Sequence, residues 1–206
     1  MRKLILLFVL CVLAIVSLWV WISPAAAAPT KHVFVADFID QRFLEPVHSV
    51  ITGDMLIHNR DVHHIPIIAQ MVLLRLETTL GATTGGANPK MSWAVRANNF
   101  GCVKWYATRW KADWGPPPPG RIWHWSSWWY KWKTPAEGMC GWGRFLEHWG
   151  NGWFLKQLKA GNWDAVARVY NGGSTYAARC RYWDRYYRNV FRATGEYPLT
   201  VAGWTP

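Results

Sequence analysis

The chain has 206 residues, of which 51% are hydrophobic and 17 are tryptophan, and its 23 Lys and Arg outnumber its 12 Asp and Glu. That length provides for one domain with a single core behind a targeting segment rather than for several domains. The net charge of +11 and the density of indoles set aside cationic partners and point to anionic or ring-bearing ones.

Residues 1–28 read as an export segment. Arg2 and Lys3 give a positive start, Leu4 to Ile22 is apolar apart from Ser17, and Ala25-Ala26-Ala27 supplies an A-x-A pattern before Pro29. Cleavage is expected after Ala27, although the apolar run is also long enough to stay as an N-terminal membrane anchor. The protein is thus expected to be secreted or periplasmic, associated with the cell wall, and membrane-anchored if the segment is retained. Without Arg2 and Lys3, 21 basic residues still face 12 acidic ones. Export argues against nucleic acid and leaves cell-wall polymers and lipid head groups as partners, for a protein expected to be monomeric. Cys102, Cys140 and Cys180 either form one disulfide with one thiol left over or all remain reduced. His58, His63 and His64 lie close in sequence, but no Cys or carboxylate set stands at ligand spacing, so neither a metal nor another cofactor is expected.

Residues 29–60 hold a short helical pattern of Phe34, Phe38, Phe43 and Leu44, then Pro46 and a loop with Gly53, and read as an approach segment. The domain itself is expected over 61–195, followed by a tail at 196–206. Its first element is an apolar helix over 64–80. At about 100° per residue, Ile65, Ala69, Val72, Leu73, Leu76 and Leu80 make one stripe, with Glu77 beside Leu73 and Leu80 and Arg75 on the opposite side. A carboxyl group in apolar surroundings resists ionisation, and an acid still protonated near neutral pH is what glycosidic bond cleavage requires. The other reading of Glu77 is a buried carboxylate neutralised by a Lys or Arg from elsewhere.

A Gly, Thr and Asn loop over 81–89, a short helix over 90–97 and the run Asn98-Asn99-Phe100-Gly101-Cys102-Val103-Lys104 come next. Eight tryptophans then fall between Trp105 and Trp132, around Gly115-Pro-Pro-Pro-Pro-Gly120. Four prolines neither donate hydrogen bonds nor form helix, so this reads as a hairpin-like lobe with a stiff extended tip and about a third of its indoles exposed. Thr134-Pro135-Ala136-Glu137 is a capping box with Pro at the first helical position, starting a helix that buries Met139, Trp142, Phe145 and Leu146. Helices over 152–160, 162–170 and 174–193 complete a mainly α (α+β) pattern, a helical domain with a small irregular β-hairpin lobe.

Four of these segments, in this order, resemble the glucosaminidase domain of family 73 glycoside hydrolases. They are Ile68-Ala69-Gln70 leading to Leu76-Glu77-Thr78, the Asn98–Lys104 run, Thr134-Pro-Ala-Glu-Gly138 with Phe145-Leu146, and Tyr170 with Tyr176-Ala177. The resemblance covers roughly residues 65–191 and implies a lysozyme-like fold. Thr78-Thr79-Leu80-Gly81 and Asn171-Gly172-Gly173 depart from that family's residues, and the second, after Tyr170, is similar to a lytic transglycosylase motif.

The resemblance implies an exported endo-β-N-acetylglucosaminidase cutting peptidoglycan strands, with Glu77 as general acid. Asp113 is then either the second carboxylate or a solvated loop residue beside Lys111, and Tyr170 would sit at the cleavage point. Asn98, Asn99 and Phe100, the indoles of Trp105, Trp110, Trp123 and Trp125, and Tyr176 are the implied substrate contacts. Asn98 and Asn99 either bind N-acetyl groups or fix the turn. The rivals are a muramidase or lytic transglycosylase on the same scaffold, and a wall-binding protein without turnover.

Overall fold

The computed structural model describes residues 31–83, 92–105, 110–111, 114–124, 126–170 and 173–193. The expected export segment at 1–28, Asp113, Trp125 and the tail at 196–206 lie outside the described residues. Two compact units are distinguished, 1–34 and 35–206. Among its described residues the second is mostly helical with one small antiparallel sheet, as expected.

Helix α1 (Lys31–Ile39) passes into a π-helical turn at Asp40–Leu44 and a 3-10 turn at Glu45–Val47, which His48 ends in the left-handed region. Val35, Ala36, Ile39, Phe43 and Leu44 are buried. The stretch expected as an approach segment is therefore part of the core, because its apolar residues recur at three- and four-residue steps and close one helical face. Helix α2 (Gly53–His63) starts at Thr52, whose side chain accepts the Met55 amide, and stops at His64 with φ +58°.

Helix α3 (Ile67–Thr78) follows Pro66 and is shorter at both ends than the expected 64–80. Pro66 holds an extended ψ of 133°, and Thr79 and Leu80 turn left-handed at φ +53° and +62°. Such residues cost about 1–3 kcal/mol each, and burial of Leu80 offsets part of that. The expected single stripe is replaced by a helix buried on almost every side: Ile67 to Leu74, Glu77 and Thr78 are all buried, while Arg75 and Leu76 are half-buried. Leu76 thus leaves the stripe the periodicity assigned to it. Neighbours on several sides enclose α3, chiefly α2, the short α4 (Ser92–Arg96) and a long C-terminal helix.

Strands β1 (Gly120–His124) and β2 (Ser127–Lys131) pair antiparallel, with Gly120 opposite Lys131 and His124 opposite Ser127. The prolines precede β1 and do not form the tip, since they have no N–H for the ladder and pairing begins only at Gly120. Lys104 bridges Trp129, the Trp105 amide donates to Trp128 O at 2.8 Å, and the Tyr130 amide donates to Val103 O at 3.2 Å. The lobe is thereby stitched to the Asn98–Trp105 segment. Of its described indoles, those of Trp123 and Trp128 are exposed and those of Trp114, Trp129 and Trp132 are buried.

Helix α5 (Pro135–His148) begins as the capping box predicts: Thr134 Oγ1 accepts the Glu137 amide at 3.2 Å. Glu137 Oε2 returns to the Lys133 amide, one residue before the reciprocal position. Helices α6 (Trp153–Lys159), α7 (Trp163–Tyr170) and α8 (Ser174–Ala193) fall within a residue of expectation. Trp142, Tyr187, Phe100, Phe154 and Phe191 are the largest fully buried side chains, and burying each contributes about 2–3 kcal/mol. Cys102, Cys140 and Cys180 are free thiols. Among the described residues no helix is long and apolar enough to cross a membrane.

The start of α5 lies against the Asn98 turn, where a Cβ on Gly138 would strike the Asn98 carbonyl oxygen. Backbone on both sides leaves little room to yield. Gly138→Ala is therefore expected to lower stability by about 1–3 kcal/mol, read as a lower urea midpoint; an unchanged midpoint would contradict this packing.

Candidate active site

Glu77 lies near the C-terminal end of α3 and is only 6% exposed. The Tyr176 hydroxyl, from the first turn of α8, donates to Glu77 Oε1 at 2.7 Å. The Cys102 thiol is near enough to feel the Glu77 carboxylate. A carboxyl group removed from water needs a donor such as Tyr176, because an unsatisfied buried acceptor carries its full desolvation penalty.

Tyr170, at the end of α7, does not bond Glu77. Its hydroxyl donates to Gly101 O and accepts from Trp142 Nε1 at 3.3 Å. The rings of Tyr170 and Tyr176 stack with centroids 6.3 Å apart. Tyr176, expected as a substrate contact, instead holds the carboxylate, and Tyr170, expected at the cleavage point, ties the Gly101–Cys102 turn to α5. Residue spacing alone did not separate the two, because both rings sit at the α7–α8 connection.

The asparagines fix the turn. Asn99 is fully buried, its Nδ2 donates to Val103 O and Tyr130 O at 2.9 Å each, and its Oδ1 accepts the Val103 amide at 2.7 Å. Asn98, at φ +52°, donates from Nδ2 to Trp132 O at 3.1 Å. Phe100 is fully buried. Asn99 and Phe100 thus have no surface to offer a sugar, which corrects their assignment as substrate contacts. Trp110 is half-buried, donates to Gly115 O and packs edge-on against Trp114 and Tyr130, an arrangement of lobe packing.

Trp123 is 55% exposed and meets Trp128 edge-on at 5.3 Å. The Arg121 guanidinium lies 4.3 Å from the Trp128 ring centre and 4.4 Å from that of Trp105. These three indoles and one cation form an aromatic ladder on the lobe. Trp105 follows Cys102 by three residues, which links the ladder along the chain to the turn at Glu77. A separate cavity of about 620 Å³ opens between the proline run, Trp110, Trp132 and α5, and its lining does not include Glu77, Tyr170 or Tyr176. Comparison with protein-family models, with curated proteins and with solved structures gives no match.

Four acidic groups surround Glu77 and stay protonated. Burial first, then the Glu77 carboxylate, pushes Tyr170, Tyr176 and the Cys102 thiol well above their ordinary values. The same two causes push Cys180 from its ordinary 9.0 up to about 12. Because the folded value is the higher one, the neutral thiol's contribution is fully present below about pH 9 and is lost as pH rises through about 12. Denaturant unfolding measured across that alkaline range should show falling stability, with a shallower fall in Cys180→Ala. An equal slope in the two proteins would contradict the burial of that thiol.

Proposed function

We propose that this is a lysozyme-like domain acting as an exported peptidoglycan hydrolase, with Glu77 as the general acid for cleavage of β-1,4 glycan strands. One observation carries the reading. Four segments far apart in the chain converge around one buried carboxyl group: Tyr176 donates to Glu77, its ring stacks on Tyr170, and the Tyr170 hydroxyl joins Gly101 to Trp142 of α5. These are the four segments on which the resemblance to glucosaminidases rests.

The chemistry follows from that carboxyl group. Burial favours its neutral form and a hydroxyl donor favours its charged form, so the pair can hold a proton and stabilise the anion left after giving it up. The Tyr176 hydroxyl, donating to Oε1, steadies the carboxyl group that protonates the leaving glycosidic oxygen in this reading. Asp113 lies outside the described residues, and no step is assigned to it. A substrate N-acetyl group that attacks its own anomeric carbon needs only one protein acid. The exposed Trp123 and Trp128, with the half-buried Trp105 and with Arg121, suit sugar rings carrying anionic substituents.

The test is release of new ends from purified peptidoglycan by the full chain and by Glu77→Gln. The parent should release ends and the folded variant should lose about 10²–10⁴ of the rate. Reducing N-acetylglucosamine ends identify a glucosaminidase, reducing muramic ends a muramidase, and 1,6-anhydro ends a transglycosylase. If both proteins bind sacculi and neither releases ends, the domain is a wall-binding protein and the hydrolase reading fails.

Binding itself should weaken with salt, because the exported part carries 21 basic against 12 acidic residues (23 minus Arg2 and Lys3). Trp123→Ala should weaken sacculus binding at every salt concentration. Retained affinity in that variant would remove the ladder from the binding surface.

A further inference from the structure

Away from Glu77, α2 and α5 bring together a second group of reactive side chains. One ligand atom each from His58, His63 and Cys140 lies within 4.8 Å of the other two. His63 is buried, Cys140 is half-buried, and His58 is exposed at the edge of the 620 Å³ cavity. His63 Nδ1 is hydrogen-bonded to Glu147 Oε2 at 2.8 Å, which leaves Nε2 facing the Cys140 sulfur at 3.6 Å.

Three features of this cluster fit a divalent cation. The first is the spacing: a tetrahedral zinc with bonds of about 2.0 Å to nitrogen and about 2.3 Å to sulfur holds those two ligands about 3.6 Å apart. The second is the Glu147 bond, since a carboxylate on the outer ring nitrogen fixes the tautomer and orientation of a metal-bound histidine. The third is that the scaffold is rigid here. Asn59 Nδ2 donates to Met139 O at 2.9 Å, and a Cβ on Gly143 would stand 2.5 Å from the His63 ring. The missing side chain at Gly143 is what lets α5 approach close enough to bring Cys140 to His63.

We infer that His58, His63 and Cys140 form a binding site for a zinc-class divalent cation, with Glu147 orienting His63 and the fourth position open to the cavity. The Cys140 thiol loses its proton to solvent on binding, and the neutral imidazoles each give a lone pair. His58, exposed and edge-on to the His63 ring, closes the set. Around the open position the cavity carries Asp54 and Glu137 against Lys133 and Arg144, so its formal charge is balanced and the three ligands dominate the attraction. Three protein ligands with an open fourth place are the arrangement of reactive rather than purely structural zinc. Sequence spacing hid the site because Cys140 follows His63 by 77 residues.

The experiment is titration of Co²⁺ into the reduced full chain, followed by optical absorption. The expected result is one equivalent bound, with a thiolate-to-cobalt charge-transfer band and the visible bands of tetrahedral cobalt, both removed by excess Zn²⁺. Cys140→Ser should abolish the charge-transfer band, Glu147→Gln should weaken binding about 10- to 100-fold, and His64→Asn, at an exposed histidine outside the cluster, should bind as the parent does. In the unmutated chain, Zn²⁺ should protect Cys140 but not Cys102 from alkylation, an observation that does not depend on how a variant folds. Absence of the bands, or bands that survive Cys140→Ser, would overturn the proposal. Rapid alkylation of Cys140 that requires His63 and is indifferent to Zn²⁺ would instead identify a thiol–imidazole pair and likewise overturn it.

Discussion

A carboxyl group inside an apolar core must be given hydrogen-bond donors, and the arrangement of this fold around α3 follows from that requirement. Glu77 is carried on a helix enclosed on almost every side, so its donors come from other elements. Tyr176 donates to it from α8, and Cys102 stands near it on the turn after α4. That turn is held by three Asn99 hydrogen bonds and by the Tyr170 hydroxyl, and Tyr170 is bonded by Trp142 of α5. Removing one link leaves the next without its partner, which is how a single buried carboxyl group organises five elements.

Helix α5 serves two places at once. Trp142 faces the tyrosines, while Cys140, two residues earlier, faces α2 and His63. Its glycines make both contacts close: Gly138 lets the Asn98 turn sit against the helix start, and Gly143 lets α2 approach. The Trp-rich lobe hangs on this frame through Asn98 and the Lys104–Trp129 bridge. It presents its exposed indoles while Trp114, Trp129 and Trp132 turn inward.

What could be read in the sequence was whatever is encoded locally. Thr134 with Pro135 and Glu137 marked the start of α5, and the spacing of Tyr176, Cys180, Tyr187 and Phe191 marked α8. The same periodicity placed Glu77 inside the core but could not show that α3 is buried all round, since enclosure depends on partners from distant segments. The prolines gave the lobe its irregularity and not its reversal point, because their missing N–H groups dictate only where pairing cannot occur. Asn98 and Asn99 have side chains equally suited to a ligand and to a backbone carbonyl, and only the carbonyls of Val103, Tyr130 and Trp132 decided between them. His63 showed only as one of three neighbouring histidines, and Cys140 and Glu147 carried no local pattern at all.

The proposed hydrolase function rests on Glu77 giving a proton to a leaving glycosidic oxygen. The most direct measurement compares Glu77→Gln with the parent on two N-acetylglucosamine oligosaccharides, one with a sugar leaving group and one with a dinitrophenyl leaving group that needs no proton. If Glu77 is the acid, the variant's loss is large on the first substrate and nearly vanishes on the second, with a flattened pH profile. An equal loss on both substrates would make Glu77 a structural carboxylate and contradict its role as the acid.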